Sequence, residues 1–365
     1  MPHEIAVIGA GWRAEFYMRL ARALPDHFDL VGVLARRREV REAVAERFQV
    51  ATFTSLDEMV EQTGPDYVVV SVPRKVAPSF IRHLNKAGVP TLTETPPAHH
   101  ECGLRGLWKS LSRPDLVQVA EQYPMMPTHS ARAAVVRRGI IGEPTSVHVS
   151  STHDYHAVAL MRAYLGVGFE PAAVRTQVTE APLINPRTRE GLTRASSPTL
   201  AKTTLATVSF GDEGDIGFTR TGLYDFTDNQ WHNQLRHRNI VVRGSLGEIQ
   251  NDSVVHWDGP GRVLTSPIIR QMSGLDLNLE GFDTQFFQFE GEVLWKNSYE
   301  GARLSDEDLA VVTMMEQMGR YVKGEGPAPY PLAEALQDTA ISLAIHRSAQ
   351  SGLPERVEGE PWAVA

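Results

Sequence analysis

Ile5-Ala6-Val7-Ile8-Gly9-Ala10-Gly11-Trp12-Arg13-Ala14 is the stretch on which the fold turns. Four apolar residues in a row predict a strand buried on both faces, as in a parallel sheet. A Gly-x-Gly-x-x-Ala turn follows and then a helical run, Glu15 to Leu24. In such a turn Gly9 permits the tight bend, and Gly11 lets backbone N–H groups approach a pyrophosphate. Ala14 lets helix and strand pack closely, while the helix N-terminus favours the phosphate charge. A strand before the glycines and a helix after them are the context that gives the motif weight. Gly9, Gly11, Trp12, Arg13 and Ala14 are therefore expected to hold a dinucleotide.

Outward from this turn, Phe28 to Ala35 reads as a second buried strand, ending in Arg36-Arg37-Arg38. About 20 residues past the glycines, an NAD site usually places an acid on the ribose hydroxyl. Arg36 and Arg37 suit a 2′-phosphate instead, because guanidinium pairs bidentately with phosphate oxygens. NADP is the expected cofactor, with NAD as the alternative. Further on, Glu39 to Phe48 has a helical pattern and Ala51 to Phe53 a strand pattern. Ser55 stands three residues before Glu58 as a helix cap. Tyr67 to Val72 reads as another fully buried strand stopping at Pro73, so Ser71, Val72 and Pro73 belong at the crevice where ligands bind. Helix and strand alternate again through Val89 to Thr93 and Leu116 to Ala120, giving a doubly wound parallel sheet.

The texture changes after Tyr123. Beyond a helix over about Thr128 to Arg138, the strands lengthen and alternate: Thr145–Ser151, Ala173–Glu180, Thr203–Phe210, Asp215–Thr221, Asn239–Arg243 and Val254–Trp257. Turns such as Gly211-Asp212-Glu213-Gly214 join them, as in an open, mostly antiparallel sheet with helices on one face. Two helical segments follow, Asp306–Lys323 and Leu332–Ser351. The fold class is thus α/β followed by α+β: a dinucleotide-binding domain over 1–123, then a substrate and oligomerisation domain over 124–365. Asn185 to Pro198 is polar and reads as a surface loop. A net charge of −8 argues against a general nucleic-acid or membrane-surface binder. A single cysteine, Cys102, allows no intrachain disulfide, which fits a cytoplasmic setting. The chain has no stretch of membrane-spanning length and no signal-peptide pattern.

Several stretches give the chain a resemblance to the Gfo/Idh/MocA family of nicotinamide-dependent oxidoreductases. They are the Gly9-x-Gly11-x-x-Ala14 turn; Glu94-Thr95-Pro96, where the family has Glu-Lys-Pro; and Arg138 to Val147, like the family's link from helix to first sheet strand. Three more follow in order: His156 to Gly166, like the helix opening on an active-site histidine; Arg243 to Ile249; and the terminal helix Leu332 to Gly352. The resemblance implies a Rossmann domain, a substrate domain, and a small polar substrate such as a sugar or polyol. It also implies that Glu94, Thr95 and Gln122 help to hold the cofactor, and that assembly is as a homodimer or homotetramer. Two positions depart from the pattern. Thr95 replaces the family's lysine, and Thr152 stands four residues before the histidine in place of an aspartate.

Carbonyl–alcohol chemistry needs a proton carrier with a pKa near the working pH, and His156 is the natural candidate. Tyr155, Tyr123 and Thr95 complete the expected catalytic set, with the tyrosines as proton donors. His153 and Asp154 add polar groups at the same edge, Asp154 as a group that could orient an imidazole. A metal shared by His153 and His156 is disfavoured, because strand residues three apart face opposite ways and no third ligand follows. No metal is expected. His99-His100-x-Cys102 reads as a helix start. The cluster Tyr224 to Asn233 contributes Asp228, Trp231 and His232, a stacking face with donors and acceptors suited to a sugar. Arg236, His237 and Arg238 would suit an anionic substrate instead. The expected function is NAD(P)-dependent oxidoreduction of a small polar molecule with His156 as acid/base. The alternatives are imine reduction on the same fold, and a cofactor-binding regulatory protein without turnover.

Overall fold

The computed structural model describes residues 1–211, 218–273 and 283–363. Six parallel strands form the first sheet: β1 (His3–Ile8), β2 (Phe28–Leu34), β3 (Thr52–Phe53), β4 (Tyr67–Val70), β5 (Thr91–Thr93) and β6 (Val117–Val119). Their order is β3-β2-β1-β4-β5-β6, so the strand order reverses between β1 and β4. Five helices connect them: α1 (Trp12–Ala23), α2 (Arg38–Phe48), α3 (Leu56–Thr63), α4 (Ala77–Lys86) and α5 (Glu101–Ser110). Strand β4 is buried at all four positions, as an all-apolar Tyr-Val-Val-Val segment covered on both faces must be. Ser55 caps α3 by accepting from the Glu58 N–H, and the His100 ring caps α5 by accepting from the Gly103 N–H.

α6 (Pro127–Arg137) leads into the second domain, whose sheet has nine strands. In chain order they are β7 (Pro144–Ser150), β8 (Ala172–Leu183), then, after the short β9 (Arg187–Thr188) and β10 (Gly191–Leu192), β11 (Thr199–Phe210), β12 (Arg220–Thr227), β13 (Asn239–Gly244), β14 (Gly247–Gln250), β15 (Ser253–Gly259), β16 (Arg262–Pro267) and β20 (Glu355–Val357). All pairings in this sheet are antiparallel except β7 with β12. A three-stranded sheet of β17 (Ile269–Ser273), β18 (Asp283–Phe289) and β19 (Glu292–Lys296) stands apart from it. α7 (Asp154–Leu165) and α9 (Leu332–Ser351) share one core with the nine-stranded sheet.

Three differences from the sequence expectations concern this half. Asp212, Glu213 and Gly214 of the expected turn, and residues 215–217 of the expected strand Asp215–Thr221, lie outside the described residues. The strand that is described, β12, carries Tyr224 to Thr227, which had read as part of a polar cluster. Tyr224 and Phe226 point into the core while Asp225 between them does not, a period of two that polar density had obscured. Asn185 to Pro198 is no bare loop either, since β9 and β10 pair within it as a small hairpin. After β19, α8 (Asp306–Val322) returns to the first domain. Its Leu309, Val312, Met315 and Met318 pack with Tyr17 and Tyr67 of the first core, and the Tyr67 hydroxyl donates to the Met315 carbonyl. A capping box of Ser305 with Asp308 starts that helix. Among the described residues no helix is long and apolar enough to cross a membrane.

Candidate active site

The reversal of strand order between β1 and β4 opens a crevice at their C-terminal ends, and the glycine turn occupies it. Gly9 has φ +118°, and a Cβ there would stand 2.0 Å from the Ser71 carbonyl oxygen. Only glycine allows the two strand ends to approach so closely. Gly11 is the N-cap of α1 with no side-chain cap, and a Cβ on it would meet nothing within 4 Å. Open space therefore faces the unsatisfied N–H groups of α1, as a bound pyrophosphate requires. Arg36 and Arg37 are exposed at the end of β2, and their guanidinium groups make no hydrogen bond or ion pair among the described residues. Gln122 is buried at the crevice, and its Oε1 has no partner among the described residues. These features fit a dinucleotide.

A cleft of about 960 Å³ runs from this turn to α7 and the β12–β13 connection. At its floor, His156 Nδ1 lies 2.6 Å from Glu121 Oε2, and both side chains are buried. Glu121 also accepts from the Tyr123 N–H through Oε1. His156 Nε2 has no partner among the described residues. The Tyr123 and Tyr155 rings flank the imidazole at 4.6 and 4.4 Å. Burial pushes both phenols above the ordinary tyrosine range, so each remains a proton donor at neutral pH. The Tyr155 hydroxyl accepts from Arg74 Nη2 at 3.3 Å. His153 stands edge-on to Trp231 with ring centroids 4.3 Å apart. Burial lowers the pKa of His153 despite its neighbour Asp154. Burial alone would raise the Asp154 carboxyl, but hydrogen bonds from His153 and His346 outweigh it and hold the group below the usual carboxylate range.

α7 is the element that carries this set, and it is tied down from below. Arg162 on the same helix is buried and pairs with Asp338 of α9 at 2.6 Å. Burial pushes the Asp338 carboxyl up to about 6, with Arg162 acting against that rise. His129 of α6 reaches α7 from the other side, its Nδ1 2.8 Å from the Tyr164 hydroxyl.

Most of the residues expected from the sequence do come together. Trp12, Arg13, Glu94, Thr95, Gln122, Tyr123, His153, Tyr155, His156, Trp231 and His232 all line the cleft. Arg13, however, does not reach into it as a free cation. Its Nε donates to Glu94 at 2.7 Å and its Nη1 to Glu307 at 2.8 Å, while Tyr17 also donates to Glu94. Asp154 does meet an imidazole, that of His153 at 2.8 Å. Asp228 is exposed and is not part of the lining, and Thr152 is fully buried. Sequence reasoning gave no role to Glu121, Arg74 or Arg189. Glu121 had one signal, its place just past the end of β6, on the ligand side of a parallel sheet. Among the described residues no group of three His, Cys, Asp or Glu side chains could hold a metal ion.

A sequence model of the oxidoreductase family with NAD-binding Rossmann fold, GFO_IDH_MocA, matches residues 3–120. The N-terminal domain belongs to the Gfo/Idh/MocA oxidoreductase family. Two uncharacterized oxidoreductases of Schizosaccharomyces pombe align with the chain over 98 residues at 32% and 31% identity. That alignment spans 27% of the length of either relative and 26% of this chain. The fold likeness is much longer. An oxidoreductase from Agrobacterium radiobacter, solved with NAD+, L-tartaric acid and magnesium, superposes with a TM-score of 0.68 at 16% identity, covering 97% of this chain and 98% of that one. A myo-inositol dehydrogenase from Corynebacterium glutamicum gives 0.65 at 15% identity over 98% of this chain and all of its own length, 100%. The fold, a Rossmann domain followed by a mostly antiparallel sheet domain, is thus shared with these structures over both halves.

Proposed function

We propose that this chain is an NADP-dependent oxidoreductase acting on a small polar alcohol or carbonyl compound, with His156 as its acid/base. The observation that carries the reading is the buried pair of His156 and Glu121, with the second ring nitrogen of His156 left to the cleft. When bound between the α1 N-terminus and this pair, the nicotinamide cofactor supplies the two-electron acceptor or donor. The chain's own residues manage the proton. In the oxidative direction His156 Nε2 takes it from the substrate hydroxyl, and in the reductive direction returns it to the carbonyl oxygen. Glu121 holds the ring with Nδ1 protonated and stabilises the imidazolium, a role a family member with lysine in place of Thr95 could share out differently. Tyr155 and Tyr123 supply hydrogen bonds to the substrate oxygens. The same pair favours turnover over a purely regulatory role, since a retired site has no use for a buried carboxylate under its histidine.

Arg36 and Arg37 support the preference for NADP over NAD. Exposed apolar residues on the open sheet, Leu205, Val255, Trp257 and Val263, support assembly as a homodimer or homotetramer. Fluorescence titration of NADPH and NADH, followed by a turnover screen of sugars, polyols and cyclic imines, tests the reading. Arg36→Ala/Arg37→Ala is expected to weaken NADPH binding by about tenfold or more and to leave NADH unchanged. His156→Ala is expected to lower turnover by about 10²–10⁴-fold at unchanged cofactor affinity. Equal affinity for both cofactors would remove the NADP preference, and undiminished turnover in His156→Ala would remove the catalytic assignment.

A further inference from the structure

The cleft contains more positive charge than its cofactor explains. Its two lining carboxylates, Glu94 and Glu307, are both engaged by Arg13. Three further guanidinium groups line it, those of Arg74, Arg189 and Arg238. Arg189 projects from the turn between β9 and β10, and its guanidinium carbon lies 4.2 Å from the centroid of the Trp12 ring, at the glycine turn. Together with the α1 N-terminus it accounts for a pyrophosphate. Arg74 and Arg238 are placed differently, around His156. Arg74 donates one N–H to the Tyr155 hydroxyl, and Arg238 donates one to the Trp231 carbonyl at 2.8 Å. Guanidinium has five N–H donors, so most of each group's capacity is unused, and neither has a carboxylate partner among the described residues.

Resting on the oxidoreductase reading, we propose that the substrate carries an anionic group, a carboxylate or a phosphate, which Arg74 and Arg238 hold while the reacting carbon lies at His156. Planar guanidinium forks match the geometry of both anions, and two of them converging on one cleft can hold an anion bidentately. The neighbouring His232 is consistent with this field. Burial first, and then Arg189, Arg187 and Arg238, lower its pKa, so at neutral pH it offers a neutral ring beside the cations rather than a further charge. A chain with a net charge of −8 repels anions overall, which makes a local cluster of unneutralised cations at the reaction centre a specific feature.

Glucose, glucuronate and glucose 6-phosphate share one ring and differ at a single carbon, so they test the proposal directly. Each is titrated by ligand-observed NMR against the full chain, with and without saturating NADPH. Glucuronate or glucose 6-phosphate is expected to bind about tenfold or more tightly than glucose. The stronger of the two identifies the anion as carboxylate or phosphate. In Arg74→Met/Arg238→Met the preference is expected to shrink to within about twofold, and each single variant to show part of the loss. Both side chains are exposed, and NADPH affinity measured in the same samples checks that the fold is retained. If neither anion binds more tightly than glucose, or if the preference survives in the double variant, the proposal is overturned. A failure to bind NADPH would instead overturn the cofactor reading, and the titrations without NADPH still decide on the anion.

Discussion

Glu121 and His156 meet across the domain boundary, their Oε2 and Nδ1 atoms 2.6 Å apart and both side chains closed off from solvent. The carboxylate follows β6 of the Rossmann sheet, and the imidazole rides on α7 of the second domain. Neither domain alone makes the pair, so the proton handling we propose depends on their docking. Glu121→Gln retains shape and a hydrogen bond but cannot stabilise the imidazolium. We expect it to lower kcat by about 10²-fold or more while cofactor affinity stays put. Thermal stability is expected to hold or rise, because a buried carboxylate carries a desolvation cost that an amide does not. Wild-type kcat in this variant would leave Glu121 with a packing role only.

The two glycines of the turn make opposite demands, and a pair of alanine variants separates them. A methyl at Gly9 collides with the Ser71 carbonyl and sits on a backbone with φ +118°, so Gly9→Ala is expected to cost about 3 kcal/mol of stability. At Gly11 the methyl meets nothing within 4 Å and the backbone is ordinary extended, so Gly11→Ala is expected to change stability by less than about 1 kcal/mol. It nonetheless fills the space before the α1 N–H groups, and NADPH affinity is expected to fall by about tenfold or more. Denaturant melts and cofactor titrations on both variants decide; a destabilised Gly11→Ala, or one that binds normally, contradicts this division.

What the sequence made legible follows from how local each signal is. The β1 strand and its glycine turn could be read because strand burial, tight bend and helix start all lie within about twelve consecutive residues. Arg13 was legible as a cation at the turn but not as a committed one. Its two partners are 81 and 294 residues away, and no periodicity reports such distances. Glu121 is one acid among 44, and only the docking of α7 onto the end of β6 sets it under His156. Nor does an amphipathic pattern say which core a helix will join. The Asp306–Val322 segment was recognisable as a helix, while its return to the first domain is fixed by Tyr17, Tyr67 and the space they leave. Asp154 was legible as a group that orients an imidazole, but which imidazoles it meets, His153 and His346, is set by a backbone with φ +48° and by α9, a helix far along the chain.

His129 joins α6 to α7 beneath the site and has a distinct pH signature. The ring is buried, and burial, with a smaller contribution from Arg132, lowers its pKa from the ordinary 6.5 to about 3. Between those values the unfolded chain binds a proton at this residue that the folded chain refuses. Stability therefore rises with pH across that window: it is complete above pH 6.5 and is lost as pH falls toward 3, with a slope of up to about 1.4 kcal/mol per pH unit from this one group. His129→Gln keeps a polar partner for the Tyr164 hydroxyl and removes the titration. Denaturant midpoints measured from pH 4 to 7 are expected to fall steeply on the acid side in the wild type and less steeply in the variant, so that the gap between the two curves is constant above pH 6.5 and changes progressively below it. Parallel curves would mean that His129 titrates in the folded protein much as it does in the unfolded chain, and that the acid limit of this fold is set elsewhere.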